Sequence, residues 1–358
     1  MKRAGVIFTA IVLFASCSDY DGEVAILPSS FDSMDEFIDS VELIPLQQSP
    51  NHYLGSMVEL SSNDDSWIVY DKPNCKIHRY SKDGEFLNSI GHRGNSLSEF
   101  LTIQNVQILD SICIVFSIPD KVNRYTLDGT FVRSELHPLL GDNTILLSEG
   151  YLSYMGYKPT IDHRLRLIHE DEIEKEYLQT QHHVLNMMSG EPVFYEHKGF
   201  ISIVDSYSDI VYSYNNERLD PIIKFDFGDY EIPDEFYRYS DVYEGAEFLL
   251  ESKFARVSRF MGNDNTLFAE VVLQNGSEAH CVYAVKRNNL WKWFDVKDEY
   301  TLFEGAFREF EGNTLIAVLD AEAVYNLPAK VRSKVTNSEV MNSIYEEGNY
   351  VIAKVRLK

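Results

Sequence analysis

The chain has few of the residues that staple small secreted folds together. Only 4 of its 358 residues are cysteine (Cys17, Cys75, Cys113 and Cys281), and no two of them form a Cys-x-x-Cys pair. That excludes a disulfide-built scaffold and a thiolate metal site of that spacing. Positive charge is scarce too: 32 Lys and Arg stand against 56 Asp and Glu, a net −24. A surface of that sign repels phosphate backbones, so no nucleic-acid partner is expected. The apolar run over residues 4–15 falls well short of the roughly 20 residues a membrane-crossing helix needs. There is no Gly-x-Ser-x-Gly, no phosphate-cradling Gly-rich loop and no His-Glu-x-x-His. The nucleophile elbow, the nucleotide loop and the zinc-protease helix are therefore absent.

What is present starts at the N-terminus. Lys2 and Arg3, the apolar run, and small Ala15 and Ser16 ahead of Cys17 are the parts of a secretory signal. Residues 1–16 are predicted to be removed. Leu13-Phe14-Ala15-Ser16-Cys17 resembles the lipobox of bacterial lipoproteins, with Phe14 where Leu is usual. The resemblance implies lipidation of Cys17 and a membrane partner held through acyl chains, each buried methylene contributing roughly 0.8 kcal/mol. Ser18, Asp19, Asp21 and Glu23 resemble the surface-export signal of some Gram-negative gut bacteria. The implied location is the outer membrane, with the cell surface favoured over the periplasmic face. Residues 17–40 are read as an acidic tether. Cleavage leaves 342 residues and a net charge of −26, ample for a large core. It also leaves Cys75, Cys113 and Cys281; free buried thiols are expected, with one disulfide among them left open in an oxidising envelope.

A repeat decides the fold. Residues 76–87, Lys-Ile-His-Arg-Tyr-Ser-Lys-Asp-Gly-Glu-Phe-Leu, recur at 121–132 as Lys-Val-Asn-Arg-Tyr-Thr-Leu-Asp-Gly-Thr-Phe-Val, an offset of 45. Each copy is a β-hairpin in sequence form, strand-forming residues flanking an Asp-Gly turn. A looser unit, a polar turn followed by a short apolar strand, begins at Trp67, Ile112, Tyr151, Phe200, Leu267 and Leu315, with gaps of 45, 39, 49, 67 and 48 residues. Four-stranded propeller blades recur at roughly 40–50 residues. Hairpins also return in the later units, turning at Asn215-Asn216 and Asn288-Asn289, residues that tolerate positive φ. The predicted fold is all-β: one six-bladed β-propeller over residues 41–358. The strand-like stretches at 41–46 and 349–357 are predicted to share the last blade and close the ring, which protects sheet edges. Two segments break the strand pattern, near 229–252 and 336–348. They are read as surface insertions with short helices, Pro233 suiting a first helical turn.

Residues 76–87, with Ile90-Gly91-His92-Arg93-Gly94 and Glu99-Phe100, resemble the NHL-type repeat of six-bladed propellers. Nearly the whole mature chain resembles the six-bladed β-propeller lipoproteins of uncharacterised function found in gut bacteria. Ile210-Val211-Tyr212, Phe225-Asp226-Phe227-Gly228 and Ile232-Pro233 match that group's mid-chain pattern. The sequence departs from it at Asn95-Ser96-Leu97-Ser98-Glu99-Phe100, where Gly-Pro-Gly-Glu-Phe is usual.

Propellers place ligands at the central channel, on the innermost strand of each blade. By the repeat those strands carry Glu59, Gln104, Asn105, Glu196, His197, Arg256, Arg259, Arg308 and Glu309, a set that can equally satisfy itself. Two other polar clusters read as turns, His169-Glu170-Asp171-Glu172 and Asn263-Asp264-Asn265, and Asp205, Ser206, Ser208 and Asp209 lack the full oxygen-ligand pattern of a calcium loop. His182-His183 would point two ways if extended. The 22 Tyr and 21 Phe read mainly as blade packing. No catalytic residue, metal ligand or cofactor is predicted. The expected function is a non-catalytic binding or scaffold propeller for a glycan, a peptide or an envelope protein. The alternative is a propeller lyase or hydrolase using His197 with Glu196 and Glu59. That reading needs titratable groups and an electrophilic stabiliser to converge on one point.

Overall fold

The computed structural model describes residues 22–47, 53–55, 58–117, 120–158, 160–180, 193–197, 200–205, 207–344, 348 and 350–358. The sequence motif at Cys17 and the His182-His183 pair lie outside the described residues.

Six antiparallel sheets follow one another along the chain. Blade 1 comprises Val58–Ser62, Ser66–Asp71, Lys76–Ser81 and Phe86–Ser89; blade 2 comprises Asn105–Leu109, Ile112–Ser117, Lys121–Thr126 and Phe131–Leu136. Blade 3 comprises Asn143–Leu147, Gly150–Tyr154, His163–His169 and Glu172–Gln179; blade 4 comprises Phe194–His197, Phe200–Val204, Ile210–Asn215 and Arg218–Asp226. Blade 5 comprises Lys253–Gly262, Thr266–Asn275, Glu278–Arg287 and Leu290–Asp295. Blade 6 takes Phe307–Glu311, Thr314–Leu319 and Val351–Leu357 from the C-terminal part and Ile38–Pro45 from the N-terminal part. The first strand of each blade touches the first strand of the next, and that of blade 6 touches that of blade 1. The ring is closed, and the two ends of the chain complete its last sheet in register from Val351↔Pro45 to Leu357↔Ile38.

The apolar strands that mark the repeat are the second strands of the blades. Ser66–Asp71 is buried at every position and Ile112–Ser117 at all but the first. A neighbour covers each face, so these strands are continuous apolar runs rather than alternating ones. The Asp-Gly hairpins join third to fourth strands. Gly84 and Gly129 have φ of +88° and +89°, and a Cβ there would lie 2.3 Å from Pro45 O and 2.5 Å from Ser89 O. Only glycine allows that turn to press against the outer strand of the preceding blade. The Asn288-Asn289 turn lies where expected, with both φ positive. In blade 4 the turn falls one residue later than expected, on Asn216 and Glu217, because Asn215 still pairs with Arg218. Cys75, Cys113 and Cys281 are free thiols.

The segment read as a tether is folded from Glu23 onward. Glu23–Ile26 adds a fifth, parallel strand to the outer edge of blade 4, and Asp32–Ser33 does the same on blade 5. The chain then turns through Met34–Phe37 into the outermost strand of blade 6. Trp291 Nε1 donates to Glu23 Oε1 at 2.8 Å and Lys286 pairs with the same carboxylate. This strap covers the outer edges of blades 4 and 5 before it becomes the outermost strand of blade 6, and covered edges are protected from pairing with other chains. Between blades 4 and 5, the insertion holds two 3-10 turns and the helix Val242–Glu251. The helix starts not at Pro233 but after Asp241, whose carboxylate caps the amides of Tyr243 and Glu244. Fully buried Phe236 seats the insertion against Tyr157, Phe254 and Leu249. The second insertion is a 3-10 turn at Ser338–Ser343; two further short helices, Ala321–Tyr325 and Ala329–Arg332, precede it.

Candidate functional site

The innermost strands enclose a polar cavity of about 360 Å³. In blade 1, Val58 and Leu60 face the core, which leaves Glu59 and Ser61 on the channel side. In blade 6, strict alternation would send Arg308 and Glu309 to opposite faces. The register slips between Phe307 and Glu309, and this bulge brings both side chains to the cavity. Blade 5 carries a matching slip between Val257 and Arg259.

These strands assemble a chain of alternating charges. Arg308 Nε lies 2.9 Å from Glu59 Oε2, and the same guanidinium donates to Val58 O at 3.0 Å. Arg259 lies 3.7 Å from Glu59 on one side and 3.7 Å from Glu270 on the other. Glu270, on the second strand of blade 5, accepts from Ser258 Oγ at 2.7 Å and Gly305 N at 3.0 Å. Burial pushes the Glu59 carboxyl up, but Arg308, Arg259 and Lys72 together outweigh it and hold the group below its ordinary value. Burial lowers Lys72 and Arg308 in turn.

The rest of the lining is neutral or acidic. Asn105 Nδ2 donates to Thr144 O at 3.1 Å, tying blade 2 to blade 3. Gln107 spans further: its Nε2 donates to Leu146 O at 3.1 Å and Glu196 Oε1 at 2.8 Å, and its Oε1 accepts from Leu146 N at 2.8 Å. The Ser62 hydroxyl donates to Glu309, whose carboxyl is pushed above its ordinary value by burial. Among the described residues the lining holds no His, Cys or Lys. No three His, Cys, Asp or Glu side chains among them are grouped to hold a metal.

Of the residues read from sequence, Glu59, Asn105, Glu196, Arg259, Arg308 and Glu309 line this one cavity. Gln104 does not; its side chain donates to Gly141 O at 3.3 Å, between blades. Arg256 lies further along its strand, opposite Val272, and outside the lining. His197 ends the first strand of blade 4, and its side chain lies outside the described residues. Sequence reasoning missed Gln107 and Glu270. Gln107 stands two residues after Asn105 on a period-two strand. Glu270 is a lone acid inside the apolar Leu267-Phe268-Ala269-Glu270-Val271-Val272 run. Both were signals of a shared polar face. Elsewhere, Asp205 is buried against Arg164 NH2 at 2.7 Å and Tyr154 OH at 2.6 Å. Glu170 and Asp171 take the positive φ of a hairpin turn.

No curated protein is similar to the chain in sequence. Among solved structures, a Bacteroides fragilis protein whose name describes it as exported superposes with a TM-score of 0.75 at 16% identity, covering 94% of this chain and 99% of its own. A member of the DUF4221 family from Bacteroides vulgatus superposes with a TM-score of 0.56 at 9% identity, covering 91% and 99%. At these identities the likeness concerns the fold. The family model of a domain of unknown function, DUF4934, matches residues 28–356, and the chain belongs to that family.

Proposed function

We propose that this protein is an exported, lipid-anchored binding propeller of the outer membrane. Residues 1–16 are removed, Cys17 carries the lipid, and the channel holds a glycan, a peptide or a segment of an envelope protein without transforming it. The observation that carries the non-catalytic reading is the Arg308–Glu59–Arg259–Glu270 chain. Each of these four charges faces an opposite one, and the two lining carboxyls that burial pushes up, Glu309 and Glu196, are tied to the neutral side chains of Ser62 and Gln107, whereas acid–base chemistry needs a titratable group poised near the working pH and free to exchange its proton. Glu59 is held in its ionised form, the opposite of what a general acid needs. A ligand would meet the hydrogen-bonding groups beyond that chain, Asn105, Gln107, Glu196 and Glu309. The exported name of the Bacteroides fragilis relative accords with an envelope location. The test is a thermal-shift screen of the anchor-free protein against glycans and peptides, repeated with Gln107→Ala. Stabilisation by one ligand class, lost in the variant, supports the reading. Release of product from any of these ligands, with loss of that release in Glu59→Gln, would overturn it.

A further inference from the structure

We infer that the outer edge formed by blades 4 and 5 faces the bilayer, so that the channel axis runs parallel to the membrane and both mouths stay open. This rests on the lipid anchor at Cys17.

The first support is reach. Six Cα steps separate Cys17 from Glu23, at most about 20 Å of chain however it is arranged. A compact chain of this length has a radius of gyration of about 20 Å, so its far edge lies about 50 Å away. Glu23 is not free to peel off and lengthen the leash. Its backbone pairs with Ile223 of blade 4, and its carboxylate is held by Trp291 and Lys286 of blade 5. The attachment point is on the perimeter of the ring, not on a face.

The second support is the surface beside that point. Val24 and Ile26 on the strap are 41% and 65% exposed, and Leu290 at the edge of blade 5 is 71% exposed. Next to Leu290 a groove of about 290 Å³ brings Arg287, Lys292 and Lys358 together with one acid, Glu36, over the buried rings of Phe37 and Phe294. On a chain with a net charge of −24, apolar tips beside three cations and one acid form a local exception. They fit a bilayer interface, which takes apolar side chains at the acyl boundary and basic ones at anionic headgroups.

The experiment compares two matched positions on the full-length lipidated protein. Leu290 on blade 5 and Leu136 on the opposite blade 2 are both 71% exposed. Each is replaced in turn by Cys in a Cys281→Ser background, since Cys75 and Cys113 are buried. Each variant is labelled with bimane and placed on phosphatidylethanolamine–phosphatidylglycerol vesicles containing nitroxide-headgroup lipid. Strong quenching at 290 with none at 136 is expected. Equal quenching at the two positions, or stronger quenching at 136, overturns the orientation. Intact mass of the same preparation, beside Cys17→Ala, reads the anchor separately. Absence of lipid on Cys17 overturns the anchor and the orientation with it; lipid present with an even quench overturns the orientation alone.

Discussion

Glu59→Gln removes the carboxylate that stands between two guanidinium groups. Arg308 then keeps only carbonyl acceptors such as Val58 O, and Arg259 keeps Glu270. Removing one partner of a buried ion pair costs roughly 3–5 kcal/mol. The side chains of Arg308 and Glu59 keep 12% and 16% exposure to the channel, so the low end, about 3 kcal/mol, is expected. With an unfolding entropy of about 2.1 cal/mol/K per residue, a chain of this length loses about 4 °C in Tm for that change. Arg308→Met should cost less, about 1–2 kcal/mol, because Glu59 retains Arg259. The pH dependence has a definite sign. The Glu59 carboxyl is held below its ordinary value, so its contribution is complete above about pH 4.3 and drains away as pH falls through the folded value. Urea titrations of the wild type and both variants at pH 7, with melts at decreasing pH, read all of this. The reasoning is refuted if Glu59→Gln is as stable as the wild type at pH 7, or if the gap between them widens on acidification.

Three further outcomes follow from the same geometry. Glu309 has its carboxyl raised by burial, which costs stability above the folded value and nothing below the ordinary one; Glu309→Gln should therefore melt higher at pH 7 and lose that advantage in acid, and a variant less stable at pH 7 would contradict this. Phe236→Ala empties a fully buried site at a local cost of about 3–5 kcal/mol. Trypsin should then cut at Arg238 while the blades still melt as before, and unchanged protection of Arg238 would count against the insertion being seated by that ring. Leu43→Ala, on the closing strand and 1% exposed, should cost about 2–5 kcal/mol in urea. A negligible cost would mean that the N-terminal strand adds little to the ring.

The propeller was legible because its signals are local. Asp-Gly turns, Asn-Asn turns and apolar second strands each act over a few residues, and their spacing counts blades without reference to distant contacts. The 67-residue gap resolves into one blade plus the insertion around Phe236. The strap was not legible. Glu23–Ile26 and Asp32–Ser33 are four and two residues long, too short to show a period. They are strands only because blades 4 and 5 offer an open edge. The channel was partly legible for the same reason. Alternation finds Glu59 and Asn105, but it cannot foresee the bulges that turn Arg308 inward beside Glu309. Nor does it show how far along the ten-residue strand Lys253–Gly262 the cavity reaches, so Arg256 falls outside the lining, whereas Gln107, two residues after Asn105 on a five-residue strand, obeys the alternation.

The closing of blade 6 by both ends of the chain bears on how the protein folds. Val351 pairs with Pro45 across 306 residues, and joining ends that far apart in an unfolded chain costs about 5 kcal/mol of loop entropy. Once blades 1 to 5 have formed, that loop is already compact and most of the cost is gone. Early blades can therefore assemble as hairpins one after another, while the ring itself waits for Val351–Leu357. Until that last strand emerges, Ile38–Pro45 has no partner in its sheet. A chain threaded through a membrane from its N-terminus would thus build its blades in turn yet keep the ring open, and close it in a single late event when Val351–Leu357 arrives.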